Sequence, residues 1–574
     1  MILARQAEKQ QLNLSRYRNA FETRLNVWAG EEIARRLWQK DGTVWVPDPE
    51  EAARTADLME KMDWLTLPEV MAGERENLQA FSREVRDAGF LRVVLLGMGG
   101  SSLAPEVFMK TFGNRPGYPT LQVLDSTHPD SVENIFRSGD VARTLFLVSS
   151  KSGGTIETLS FYKFFFDAVK TKKDDPGRNF VAITDPGSGL EKLARENKFR
   201  RVFSSPPGVG GRYSALTYFG LVPAALIGVD LGRILDSAAT MAHACYSCVP
   251  VDRNPGISLG AAMGELALAG RDKITFLASP GLSPFGVWVE QLIAESTGKL
   301  GRGIVPVADE RPGAPEVYGK DRFFAYMRLA GDENDTLDQL VGGLEKTGHP
   351  VARIHLDEKL DMGGEFFRWE MATAAAGAVL GINPFNQPDV EAAKIKAREL
   401  MAAYRETGRL PADEPTLRDG NLKIFGGPDG SSPNADDLIA RFLQQKNEGD
   451  YVALMAYIPR SSRTDEILDR IRIHLRDKLK VATTLGYGPR FLHSTGQLHK
   501  GGPNRGLFIQ ITSTPESDRS VPGEPYSFGT LIAAQAMGDY QALEERDRRL
   551  IRFHVSGDLM AGLERLEERM EAVS

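Results

Sequence analysis

The sequence predicts an α/β protein built on parallel sheets, with more than one domain. Three observations predict it. Short β-branched apolar runs recur along the chain with helical patterns between most of them, as expected of strands buried on both faces and joined by helices. The chain has 574 residues, too many for one core, so two to four domains are expected. Polar or glycine-rich turns follow three of the runs, where open α/β sheets hold ligands.

Taken in order, residues 1–72 read as a helical segment rich in Arg, Glu, Leu and Ala, closing on "MDWLTLPEVM". A first α/β domain is expected over 73–240. Its strands are "LRVVLLGM" (91–98), "TLQVLDS" (120–126), "TLFLVSS" (144–150), "NFVAIT" (179–184) and "RRVFSS" (200–205). A second of the same style is expected over 250–425, from "KITFLAS" (273–279), "GIVPVAD" (303–309), "FFAYMRLAG" (323–331) and "VARIHLD" (351–357), followed by the apolar helix "FFRWEMATAAAGAVLG". "GGPDGSSPNADD" (426–437) is a loop by composition. Residues 438–574 then carry "YVALMAYIP", "KVATTLGY", "GLFIQITS" and a charged terminal helix, read as an α/β extension of the second domain or as a third domain.

Composition narrows the function classes. The chain is 42% hydrophobic and 26% charged, as globular proteins are. A net charge of −7 argues against nucleic acid as a partner. No apolar run is long enough to span a membrane, and "MILARQAEKQQLNLSRY" has no signal-peptide core. The C-x-x-C pair Cys245 and Cys248 has no second pair to complete a zinc site, and both are read as buried thiols. No His/Cys/Asp cluster has metal-ligand spacing.

The three turns are "GMGGSS" (97–102), "SSKSGGTIET" (149–158) and "PPGVGGRYS" (206–214). Backbone N–H groups at a helix start attract anions, and glycines let an anion approach closely. Hydroxyls of Ser150, Ser152 and Thr155 can donate to phosphate oxygens, with Lys151 offsetting their charge. Alternatively, Ser152 or Thr155 only caps a helix. Three such turns in one sheet favour a phosphate site. In "PFGVWVEQLIAESTGK" (284–299), Phe285, Trp288, Val289, Leu292 and Ile293 form an apolar stripe, with Glu290 opposite it. Glu295 falls at the stripe's edge in the last turn. There it suits a general base, or an edge carboxylate paired to a Lys or Arg.

Five motifs occur in order over residues 97–394: "GMGGSSLAPEV", "SSKSGGTIET", "GGRYSALT", "AESTGK" and "NPFNQPDVEAAK". Together they resemble the glucose-6-phosphate isomerase family, built from two sugar-isomerase (SIS) domains. "GGEFFRWEMA", "LGINPFNQPDVEAAK" and "LHSTGQLHKGGPN" are similar to the isomerase half of bacterial transaldolase–isomerase fusions. No transaldolase half stands in this sequence. The resemblance implies two SIS-type αβα sandwiches. It also implies interconversion of glucose 6-phosphate and fructose 6-phosphate in glycolysis and gluconeogenesis, in the cytoplasm, with no cofactor or metal.

By the same resemblance Ser150, Lys151, Ser152 and Thr155 hold the phosphate. Glu157 lies near the sugar hydroxyls, and Gly100, Ser101 and Gly211 line the sugar. Glu295 carries a proton between C2 and C1, Arg212 steadies the enediolate, Lys394 serves the ring oxygen, and Gln387 of the same motif binds the substrate. The implied partner is a hexose 6-phosphate, with a homodimer and a transaldolase as further expectations. Two other functions remain open: a non-catalytic sugar-phosphate-binding regulator and a partner subunit of a transaldolase.

One departure stands out. The family's ring-opening histidine precedes the Gln/Lys motif, but "EVYGKDRFFAYMRL" holds none, and Asp321 or Arg322 stands near its place. His493 in "FLHSTGQLHKGG" is the candidate instead, which requires a rearranged order of elements. His499 and Lys500 are weaker candidates. Lys394, or opening in free solution, would replace His493 if it is structural. His128 in "STHPD" reads as a turn residue.

Overall fold

A computed structural model describes residues 6–55, 57–411, 413–428 and 432–573. The expected helix at residues 1–5 and the stretch 429–431 of the expected loop lie outside the described residues. The remainder of that loop is shorter than expected: Gly426 ends a strand, and Asn434 caps the helix Ala435–Leu443 through Asp437 N.

Near the start is a strand, β1 (Gln10–Asn13), inside the segment expected to be wholly helical. Four residues carry too little periodicity to announce it, and its partner is far away in sequence. The first sheet holds β2 (Arg92–Gly97), β3 (Thr120–Leu124), β4 (Thr144–Ser149), β5 (Phe180–Thr184) and β6 (Arg201–Ser204), all parallel, in the order β3-β2-β4-β5-β6. The second holds β7 (Lys273–Ala278), β8 (Val305–Val307), β9 (Arg322–Leu329) and β10 (Val351–Leu356) in parallel, and β1 closes its edge antiparallel to β10, with Gln10 opposite Ile354. β2 and β4 are buried at every position, as the continuous apolar runs required.

The C-terminal strands do not extend the second sheet. β11 (Leu417–Asp419), β12 (Leu422–Gly426), β13 (Tyr451–Tyr457), β14 (Ala482–Tyr487), β15 (Gly506–Ser513) and β16 (Arg549–Val555) form a separate six-stranded sheet, ordered β11-β12-β16-β15-β13-β14. One face has its own core, with Val452, Leu454, Ile509, Ile551 and Phe553 against the helices Ser462–Leu479 and Leu559–Val573. β12 lies before the expected boundary but pairs with β16, so the sheet reaches back to residue 417. β16 interrupts what was expected to be a single terminal helix. Its "RLIRFHV" carries Arg and His among the apolar residues and so lacks the continuous apolar run of the other strands.

Cys245 is buried, but Cys248 is exposed, against expectation: it stands in the turn after the helix Leu231–Ala244, past the last packed residue of that helix. Among the described residues no helix is long and apolar enough to cross a membrane.

Candidate active site

The first sheet sets the place. From β2 the chain steps to β3 on one side and then to β4 on the other, so the β2 and β4 carboxyl ends flank a topological switch point, where open α/β sheets leave a crevice. "GMGGSS" leaves β2 and "SSKSGG" leaves β4. The turn after β6 swings back to them: a Cβ on Gly100 would stand 2.2 Å from the Gly211 carbonyl oxygen, so the two loops touch backbone to backbone.

A cavity of about 430 Å³ opens there. Gly100, Ser101, Lys151, Ser152, Thr155, Gly211, Arg212, Glu295, Gln387, Lys394 and His493 all line it. Ser150 and Glu157 do not. Ser150 is buried behind the loop, its hydroxyl 2.9 Å from that of Thr155. Glu157 faces an adjoining cavity of about 540 Å³ that shares Ser152, Thr155, Lys394 and His493 with the first.

Thr155 stands at the N-cap of the helix Ile156–Lys170, but its side chain makes no cap hydrogen bond, so capping is not what this hydroxyl does. Gly153 at φ +70° turns the loop, and Ser152 Oγ accepts from Gly154 N at 3.4 Å. Lys151 is not free: its Nζ donates to both Asp185 oxygens at 2.6 and 2.7 Å. Burial pushes the Lys151 ammonium down, with Asp185 opposing. Burial likewise pushes the Asp185 carboxyl up, against the pull of Lys151. Asp185, at the carboxyl end of β5, was missed; its "ITDPGSG" turn was the available signal.

Glu295 lies in the last turn of the helix Phe285–Thr297 and is 9% exposed. Arg212 Nη1 sits 3.2 Å from its Oε1, so both sequence alternatives for this carboxylate, cavity-facing and arginine-paired, hold at once. The Arg212 guanidinium also donates to Ser296 Oγ (2.7 Å), Gln387 Oε1 (3.0 Å), Pro384 O (2.6 Å) and Asn386 O (3.0 Å), which fixes its plane. Lys299 of "AESTGK" donates to Asn383 O at 2.7 Å and Asn386 O at 2.5 Å, fastening the "NPFNQ" turn beneath Arg212. Burial, with Arg212 nearby, drives the Lys299 ammonium well down. Lys394 Nζ donates to Glu391 Oε1 at 2.9 Å at the cavity mouth.

His493 comes from the third sheet, at the end of the turn Arg490–His493 after β14. Its Nε2 is 3.0 Å from Glu157 Oε1, which also accepts from Gln535 Nε2 at 2.8 Å. Burial pushes the Glu157 carboxyl up, but the His493 imidazole, a backbone hydrogen bond and Lys394 together outweigh it and hold the group below its ordinary value. The sequence reading missed Gln291, whose Nε2 donates to Glu295 Oε2 (3.1 Å) and to His493 O (2.7 Å), joining Glu295 to His493. Its signal was a polar residue four positions before Glu295, on the same helix face.

The other candidates lie elsewhere. His499 is buried against Phe508 and Phe491, and Lys500 pairs with Asp539 at 2.6 Å. Asp321 pairs with Lys273 (3.3 Å) and Arg322 with Glu310 (3.0 Å). His128 caps the helix Pro129–Arg137 through Asp130 N, as a turn residue would.

A family model described as phosphoglucose isomerase matches residues 33–309. The probable glucose-6-phosphate isomerase of Methanococcus maripaludis is 30% identical over 354 residues, spanning 55% of this chain and 80% of that one. The glucose-6-phosphate isomerase of Rubrobacter xylanophilus is 28% identical over 435 residues, 66% of this chain and 95% of that one. Among solved structures, a hypothetical protein from Thermus thermophilus aligns with a TM-score of 0.55 at 26% identity, covering 68% of this chain and 99% of its own. A glucose-6-phosphate isomerase from Chlamydia trachomatis shares the fold, with a TM-score of 0.50 at 22% identity over 65% of this chain and 78% of its own. With the motifs, the α/β fold and these relatives together, the chain belongs to the phosphoglucose isomerase family.

Proposed function

We propose that this chain interconverts glucose 6-phosphate and fructose 6-phosphate by ring opening and a cis-enediolate. The observation that carries the reading is one cavity lined by the hydroxyl-rich loop, by Glu295 beside Arg212, and by His493. The relatives' names support the substrate pair.

The phosphate sits against Ser152 and Thr155 at the start of the helix Ile156–Lys170, with Ser150 bracing Thr155 and the Lys151–Asp185 pair beside them. Gly100, Ser101 and Gly211 leave room for the sugar. His493, oriented by the Glu157 carboxylate, moves the proton that opens the ring. Glu295 takes the C2 proton and returns it to C1, which one carboxylate can do when both carbons present the same face. Arg212 places a fixed positive charge beside the enediolate oxygens as they gain charge. Lys394 stands at the ring oxygen, and Gln387, accepting from Arg212, binds the substrate beside it. The reaction places the protein in glycolysis and gluconeogenesis in the cytoplasm. A second copy of the chain and a transaldolase are the partners proposed with it.

The test is a coupled assay on the purified chain. Fructose 6-phosphate supplied alone should yield glucose 6-phosphate, and the reverse. Binding of both sugars without turnover would favour a sensor, and activity only when transaldolase is added would favour the subunit reading. Light scattering on the eluted protein decides the homodimer.

A further inference from the structure

Of the residues lining the cavity, His493 alone comes from the part of the chain that builds β13–β16. Its position therefore depends on what ties the turn Arg490–His493 to the rest of the site. One tie is the Gln291 bond to His493 O. Another is Arg490. Its Nη2 pairs with Glu106, and its Nε lies 3.4 Å from Asp125 Oδ2. Glu106 is on the helix Leu103–Phe112, which follows directly on "GMGGSS". Asp125 follows β3 and accepts from Ser102 Oγ at 3.2 Å. One guanidinium thus bridges two acidic groups that belong to the same loop system as Gly100 and Ser101.

The clasp is enclosed: side-chain exposure is 15% for Arg490, 7% for Glu106 and 14% for Asp125. Buried charges at this depth are stable only when paired; Glu106 also pairs with Lys110 and Arg460, so the acidic side of the clasp is anchored and Arg490 is held against it. Packing does not call for an arginine here, because Phe491 and Leu492 supply the apolar contacts of the turn. Nor does Arg490 line the cavity, so it has no path to the reacting atoms.

We propose that Arg490 is the positioning residue for His493, its clasp on Glu106 and Asp125 setting the imidazole opposite Glu157. This rests on the reading of His493 as the ring-opening group. Arg490 therefore acts on ring opening and leaves the Glu295 proton transfer alone.

Two substrates separate these steps. Fructose 6-phosphate is largely cyclic. Its 5-deoxy analogue lacks the O5 that closes the ring and carries phosphate on O6, so it stays open; its turnover is read as exchange of a C1 hydrogen with deuterated water. Arg490→Met should lower kcat on fructose 6-phosphate by at least about tenfold, with KM and exchange on the open analogue within about twofold. Arg490→Lys should recover part of the loss. In a His493→Ala background Arg490→Met should cost nothing further, because both act on one step. Should Arg490→Met fail to fold, Asp125→Asn loosens the same clasp and is read the same way. Equal losses on both substrates, additive losses in the double variant, or no loss would overturn the proposal. A wild type without isomerase activity would instead sink the functional reading. Wild type and His493→Ala behaving as that reading expects, beside an unaffected Arg490→Met, would sink this inference alone.

Discussion

A carboxylate held against a guanidinium is well placed for chemistry only if the arginine does not depend on it. Arg212 does not: besides Glu295 it donates to four neutral oxygens, from Ser296, Gln387, Pro384 and Asn386. In the proposed reaction, Glu295 can therefore accept and return a proton while Arg212 stays in place for the enediolate. Glu295→Gln should lower kcat by at least about a hundredfold with KM little changed, since the base is lost and the shape kept. Progress curves at saturating fructose 6-phosphate check this. A variant within about threefold of wild type would assign the proton transfer to another group. Thermal melting of the same variant should show a shift well short of that for an orphaned buried charge, which costs about 3–5 kcal/mol, because Arg212 keeps its other acceptors.

At the scale of elements, the site is made by loops pressed together until only glycine fits. A Cβ at Gly99 would meet His493 O at 2.6 Å, and Gly99 adopts φ +55°, which favours glycine. A Cβ at Gly100 would meet Gly211 O at 2.2 Å, backbone that cannot swing aside. Gly100→Ala must therefore push away the turn that carries Arg212. The expected result is loss of at least about tenfold in kcat/KM with about 1–3 kcal/mol of destabilisation, as for overpacked sites generally. Steady-state kinetics with urea titration read both. Near-native kinetics would mean that the two loops do not touch in solution.

At the scale of the molecule, the third sheet is coupled to the other two by buried polar contacts as well as apolar packing. Thr127 Oγ1 donates to Gln535 Oε1 (2.7 Å), Gln497 Nε2 to Gly298 O (2.8 Å), Arg472 Nη2 to Ala308 O (2.8 Å) and Thr483 Oγ1 to Glu310 Oε1 (3.1 Å). A charged contact crosses the same junction, where Arg490 pairs with Glu106. Burial alone would raise the Glu106 carboxyl, but Arg490, Lys110 and Arg460 hold it at about 2, against an ordinary 4.5. Its neighbour Asp125 goes the other way, pushed up by burial, and takes the first proton of the pair. Because the folded value of Glu106 lies below the unfolded one, its stabilisation is fully present above pH about 4.5 and is lost as pH falls toward about 2. Urea denaturation across that window should show wild type and Glu106→Gln converging as pH falls. A constant gap would mean that the loss in the variant is packing and not charge.

The sequence by itself determined the class of fold, most of the strands and most of the cavity. Continuous apolar runs such as "LRVVLLGM" and "TLFLV" can only be strands covered on both faces, and glycine and hydroxyl clusters at their carboxyl ends mark a crevice, because backbone geometry there is a local matter. The loop 149–158 was legible for that reason, whereas Glu295 and Arg212 were assigned through the resemblance carried by "AESTGK" and "GGRYSALT". Four things were decided only by tertiary structure. β1 and β12 are short, and the strands that join them to their sheets, β10 and β16, lie more than a hundred residues away. Lys151 faces Asp185, and Gln291 joins Glu295 to His493, by contacts that no spacing encodes. His493, some two hundred residues beyond Glu295, enters the cavity because β14 of a separate sheet ends beside the first, fastened there by Arg490. Local pattern fixes which backbone each segment adopts, but the meeting of distant loops depends on the free energy of packing three sheets against one another, which no single segment carries.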